Sequence, residues 1–198
     1  MQVGHGRSGE HLWSFAAYGI APDIVTMGKP MGNGYPVAAV VARSEIFDTL
    51  AADTRVFSTF GGNPVAACAA LAVLDVIRDE RLIEHAARVG ASLRAALESL
   101  ADASSVVDVR GRGLLVGVEL SSAADAERVV NGLREDGILI GRTGRGENVL
   151  KIRPPLVFRD THAELLVSAL QERLRAPSDS SVTSSRRPES SAREAHRG

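Results

Sequence analysis

The chain has little that would staple it, anchor it in a membrane or charge it. One cysteine, Cys68, stands among 198 residues. That excludes an intrachain disulfide framework and any cysteine-cluster zinc site. The formal net charge is −1, so there is no basic field of the kind nucleic-acid binders use. No run reaches the ~18 apolar residues of a membrane helix. The N-terminus lacks the charged-then-apolar layout of a signal peptide. The five histidines, His5, His11, His85, His162 and His196, show no metal-ligand spacing. No internal repeat and no Ser/His/Asp arrangement can be argued. A cytoplasmic protein with no metal, no nucleic acid and no membrane partner is the expectation.

What is present suits a folded chain. Hydrophobic residues make up 44% and charged residues 24%, ordinary for a soluble domain and enough for a sizeable core. Residues 1–21 read as irregular, with a short helix in the apolar-aromatic stretch Leu12–Tyr18. Strands are expected near 23–27 and 37–42, and a capped helix from Ser44 to 50. Asn63 and Pro64 suit an N-cap and a first helical residue, and a helix follows from Val65 to about Arg78. Through Leu74 it is apolar on nearly every side, so it is expected to be buried or to pack on another subunit. Cys68 within it reads as a small apolar side chain.

The second half changes character. Leu82, Ile83, Ala86, Val89, Leu93, Leu97 and Leu100 recur at helical spacing over 80–102. Strands are expected at 106–109, 114–120, 137–140 and 149–152, interleaved with helices at 123–136 and 160–175. Gly111-Arg112-Gly113 reads as a hairpin turn. Residues 176–198 are rich in Ser and Arg and poor in apolar groups, which implies disorder.

Three segments carry candidate chemistry. Lys29 stands between a strand-like run, expected to be buried, and the loop Pro30-Met31-Gly32-Asn33-Gly34-Tyr35-Pro36. A desolvated lysine loses its proton readily, and as a neutral amine it condenses with carbonyls; the plain alternative is a lysine snorkelling from a strand end. Ser58-Thr59-Phe60-Gly61-Gly62-Asn63-Pro64 offers hydroxyls and free N–H groups at a helix start, which suit phosphate, or it is simply a capped helix behind a turn. Lys151 and Arg153 share one strand face beside Pro154-Pro155, as an anion site or as charges guarding an edge strand. Gly4-His5-Gly6-Arg7-Ser8-Gly9 matches a dinucleotide fingerprint by letter, but no strand precedes it and no clear helix opens on it.

Together these segments resemble the C-terminal part of class III (omega-type) aminotransferases. The matching stretches are Gln2–Gly9, Ala21–Lys29, Phe57–Pro64 and Leu150–Leu156, in the family's order and covering about residues 1–175. Gly28-Lys29-Pro30-Met31-Gly32-Asn33-Gly34-Tyr35-Pro36-Val37 most resembles the subgroup containing phospho-lyases of phosphorylated amino alcohols such as ethanolamine phosphate. The resemblance implies an α/β, fold-type I transferase dependent on pyridoxal 5'-phosphate. Residues 1–78 would be the end of the large cofactor domain with an interdomain helix. Residues 79–175 would be the small C-terminal α/β domain, and 176–198 a disordered tail.

The resemblance also implies roles. Lys29 would be catalytic, forming the internal aldimine and shuttling a proton. Gln2 would touch the cofactor's phenolic oxygen. Thr59 would reach the cofactor phosphate of a neighbouring subunit, making a homodimer the working unit. Lys151 falls where many aminotransferases carry an arginine that clamps the substrate carboxylate, and Arg153 is a nearby second cation. A lysine lacks the bidentate fork, which favours an aminated or phosphorylated small-molecule amine. The expected reaction is amino-group transfer. The alternatives are β-elimination of phosphate by a phospho-lyase, or an inactive remnant or partner-docking fragment. In the family an Asp-Glu pair comes just before the position of Met1, and its aspartate pairs with the cofactor's ring nitrogen. The chain therefore reads as N-terminally truncated.

Overall fold

A computed structural model describes residues 3–100 and 105–175, and the chain builds two sheets of unequal size. The first is a two-stranded antiparallel ribbon. Strand β1 (Ile24–Met27) pairs with β2 (Ala39–Ala42), Val25 opposite Val41. A 3-10 turn over Ser14–Tyr18 precedes it, and a second over Lys29–Gly32 follows β1. Helix α1 (Ser44–Asp53) comes next. Ser44 is its first residue, not its cap; Arg43 holds that place and offers no capping side chain.

Helix α2 (Pro64–Asp79) starts where expected. The Asn63 Oδ1 accepts the Ala66 N–H at 2.9 Å, so one orphan donor of the first turn is satisfied by the side chain. The burial expected of α2 is not made within this chain. Only Ala66, Ala70 and Ile77 are buried, and Cys68 is exposed, contrary to its reading as a buried apolar group. The reason is that α2 packs on one side only, against the Lys29–Gly32 turn and the next helix. Val65, Leu71 and Val76 are left facing outward.

Helix α3 (Leu82–Glu98) buries Leu82, Ala86, Val89, Leu93 and Leu97, the stripe its spacing specifies. The second sheet then follows. Strands β3 (Val106–Arg112), β4 (Leu115–Leu120), β5 (Gly141–Thr143) and β6 (Val149–Ile152) assemble antiparallel in the order β3-β4-β6-β5. Helices α4 (Ala123–Glu135) and α5 (Asp160–Arg175) complete the unit. Val116, Val118, Leu120, Leu150 and Ile152 project from the sheet into a core shared with Leu93, Leu97, Val129, Leu133, Leu166 and Leu170. Strand alternation leaves Gly117, Glu119 and Lys151 on the opposite face.

Two expectations shift here. The hairpin turn is Gly113–Leu114, because the ladder runs on until Arg112 pairs with Leu115. The strand expected at 137–140 is not formed. The Ile138 N–H donates to the Leu133 carbonyl at 2.8 Å and closes α4, so the ladder starts only at Gly141. Ile138 and Ile140 still pack against the core.

Candidate active site

The N-terminal loop is the hinge between the two sheets. His5, Gly6 and Ser8 are buried. The Arg7 carbonyl accepts the Leu114 N–H at 2.9 Å, and the Arg7 Nη1 donates to the carbonyls of Leu114, at 3.4 Å, and Pro154. Arg7 thereby ties the loop to the β3–β4 turn and to the segment leaving β6. Burial lowers its pKa, and nearby Arg153 adds to the shift. Glycines of this loop serve packing: a Cβ on Gly6 would lie 2.8 Å from the Ile83 Cγ1, and one on Gly9 2.6 Å from the Ala87 Cα.

Lys29 opens the second 3-10 turn with φ +54°, a left-handed conformation that non-glycine residues seldom adopt. The strand before it is not the buried one its apolar letters suggested. Ile24 and Thr26 are exposed and Lys29 itself is exposed, while Val25 and Met27 are only half-buried on the side that faces His5 and Trp13. Among the described residues Lys29 has no ion-pair partner. The turn it opens lines a cavity of about 570 Å³ through Pro30, Gly32 and Asn33, with His5, Arg7 and one side of α2. The strand before it lines a smaller one of about 220 Å³ through Val25, Thr26 and Met27, with His5 and Trp13.

His5 is shared by both cavities and was not singled out by any sequence pattern. It is 4% exposed, lies edge-on to Trp13 with ring centroids 4.8 Å apart, and its Nδ1 has no hydrogen-bond partner among the described residues. Burial lowers its pKa from 6.5. Only its position in the fold, between the segments before and after Lys29, marks it.

The other expected residues stand apart. Thr59 is exposed in the turn before α2, where Ser58 Oγ accepts the Gly61 N–H at 2.9 Å. Lys151 is half-buried on β6 and, with Arg153, lines a third cavity of about 660 Å³ bounded by Gly141, Phe158 and His162. Lys29 and Thr59 line none of the three cavities. Gln2, like the tail 176–198, lies outside the described residues.

One property of the composition acquires meaning here. The chain carries twenty-one arginines and only two lysines, Lys29 and Lys151. Arginine stays protonated and cannot serve as an amine nucleophile. Both groups able to do so from a side chain fall at the two places marked above.

Comparison with known proteins identifies the family. The family model for aminotransferase class-III matches residues 1–174. An ethanolamine-phosphate phospho-lyase homolog 1 of Caenorhabditis elegans is 41% identical over 184 residues, 87% of this chain and 39% of that protein. An alanine–glyoxylate aminotransferase 2 homolog 2 of Arabidopsis thaliana, described as mitochondrial, is 44% identical over 179 residues, 86% of this chain and 37% of that protein. A solved phospholyase from Arthrobacter in complex with phosphoethanolamine superposes with a TM-score of 0.85 at 41% identity, covering 89% of this chain and 44% of that one. The chain belongs to the class III family of pyridoxal-phosphate-dependent aminotransferases, with the corresponding part of the fold-type I architecture. It spans about two fifths of the length of the curated relatives it matches. No helix among its described residues is long and apolar enough to cross a membrane.

Among the described residues Lys29 is an exposed amine with no carboxylate partner, the type of group that would condense with the aldehyde of that cofactor. Lys29 is not in the lining of either cavity beside it.

Proposed function

We propose that the chain supplies the lysine-bearing portion of an enzyme that moves amino groups with pyridoxal 5'-phosphate. The observation that carries this reading is Lys29: one of only two lysines, in a left-handed turn directly after β1, exposed and without an ion-pair partner among the described residues. When bound, the cofactor supplies an electron sink for the carbon that bears the substrate nitrogen. Lys29 holds the cofactor by its amine. Released by the incoming substrate amine, Lys29 takes a proton from that carbon and returns one, as a general base and acid. Gln2 and Thr59 contact the cofactor, Thr59 from a second copy of the chain. Support for the second copy is the outward-facing apolar run Val56, Phe57, Phe60, Val65 and Leu71 around Thr59, a surface that calls for a partner. Residues 1–78 form the end of the large domain and 79–175 the small one.

A second reading is favoured by Lys151. A lysine there offers a point charge and no fork, a mode in which lysine commonly holds phosphate. In that reading the substrate is a phosphorylated amino alcohol. Lys29 removes the proton at the amine-bearing carbon, the carbon–oxygen bond to phosphate breaks, and phosphate leaves with the electron pair. Both the phospho-lyase homolog and the Arthrobacter phospholyase support it by likeness.

Absorption spectroscopy with added pyridoxal 5'-phosphate tests the shared premise. The wild type and Lys151→Ala should develop a visible band absent from free cofactor, and Lys29→Ala should not. A Lys29→Ala chain that keeps the band would place the chemistry on another amine.

A further inference from the structure

The strands on either side of Lys151 present it with no side chain at all. Its register partners are Gly117 on β4 and Gly141 on β5. Residues directly opposed in an antiparallel pair bring their Cβ atoms to about 4.5–5.5 Å, so any larger residue there would stand beside the lysine stem. Gly117 has a reason within the fold, because a Cβ on it would lie 3.1 Å from the Val149 Cγ1. Gly141 has none. Its φ is not in the left-handed region, and a Cβ on it would meet nothing within 4 Å. The other glycines between 105 and 175 each have a positive φ or a neighbour within 4 Å. A strand glycine costs stability, and one that the backbone does not require marks a place where a ligand or another backbone comes close.

The arginines on the same strands are all paired with carboxylates. Arg110 pairs with Asp108 and Glu119, both at 2.6 Å. Arg112 pairs with Glu10 at 2.9 Å and Arg142 with Glu127 at 3.6 Å. Lys151 is the one cation of the four strands with no carboxylate partner among the described residues. Arg153 follows two residues later, close enough to Arg7 to lower that guanidinium's pKa further. Lys151, Arg153 and Gly141 all border the 660 Å³ cavity.

We infer that Gly141 is a specificity-determining position, whose bare backbone leaves the Lys151 ammonium open to the phosphate monoester of an amine substrate. The inference rests on the phospho-lyase reading above. Two cations bordering one cavity match a dianion better than a carboxylate, since a phosphate monoester carries about −1.5 to −2 charges at neutral pH. Lysine also binds phosphate readily as a point charge. Because nothing among the described residues fills the space at Gly141, a side chain there obstructs the ligand without disturbing the core.

The test uses the full chain and needs no turnover. Reductive ¹³C-methylation tags its two lysines and terminal amine and keeps their charge. O-phosphoethanolamine should move the Lys151 methyl resonance saturably and leave that of Lys29 in place. γ-Aminobutyrate and ethanolamine should move it far less at equal concentration. Gly141→Leu should weaken O-phosphoethanolamine at least about tenfold, a difference of ~1.4 kcal/mol, with no fall in thermal midpoint, and Gly141→Ala should lie between. An unmoved Lys151 resonance, an equal response to γ-aminobutyrate, or unchanged affinity in both variants overturns the inference. Failure of the Lys29 chemistry would appear in the cofactor spectrum and not in this titration, so the two outcomes are separable.

Discussion

Gly90 of α3 lies against Gly113 of the β3–β4 turn so closely that a Cβ on Gly90 would sit 2.3 Å from the Gly113 carbonyl. Gly113 in turn has φ +50°, and a Cβ there would lie 2.3 Å from the Arg7 carbonyl oxygen. Helix, hairpin and N-terminal loop therefore meet backbone to backbone. Gly90→Ala must push α3 off the hairpin and strain the Arg7–Leu114 bond. Overpacking of this kind costs about 1–3 kcal/mol. Urea unfolding should show a midpoint lowered accordingly, and an unchanged midpoint would mean the contact is looser than described.

His5 gives the fold a dependence on pH. It is buried, and burial lowers its pKa from 6.5. Between the folded and unfolded pKa values the unfolded chain binds more protons, so stability rises with pH there. The contribution of neutral His5 is complete above pH 6.5 and falls as pH drops through that value toward the lowered one. His5→Phe should flatten that part of the curve of thermal midpoint against pH. A variant that follows the wild type across the window would show that His5 is not its source.

Asn63 holds the start of α2 and, through it, the turn that carries Thr59. Its side chain takes the Ala66 N–H at 2.9 Å. Asn63→Ala should cost about 1 kcal/mol, and Asn63→Ser should recover most of it. Thermal unfolding followed by circular dichroism reads both. Equal loss in the two variants would assign Asn63 a role other than capping.

The sequence was most legible where one residue type does one job. Asn63-Pro64 specifies the start of α2 whatever lies around it, and the spacing of Leu82, Ala86, Val89, Leu93 and Leu97 specifies the buried side of α3. It was less legible where a group has two possible partners. The Ile138 N–H closes α4 in place of joining a strand, and no local pattern reports that choice. Burial of the segments around Lys29 and Cys68 was misjudged for a related reason. Apolar letters say what a segment could cover, and in this chain β1, β2 and the outer side of α2 have little to cover them. In the candidate site, Lys151 was visible from strand alternation. Gly141 was not, because its pairing with Lys151 depends on a register fixed only by the folded sheet. His5 had no sequence signal beyond membership in a glycine-rich loop.

The central claim is that Lys29 is the amine that binds the cofactor, and its most direct test is borohydride reduction of the chain with pyridoxal 5'-phosphate, followed by peptide mapping. With only two lysines present, the result is close to binary. A stable adduct on the peptide carrying Lys29, and none on the peptide carrying Lys151, is the predicted result. An adduct on Lys151 or the terminal amine alone, or no adduct at all, would contradict it.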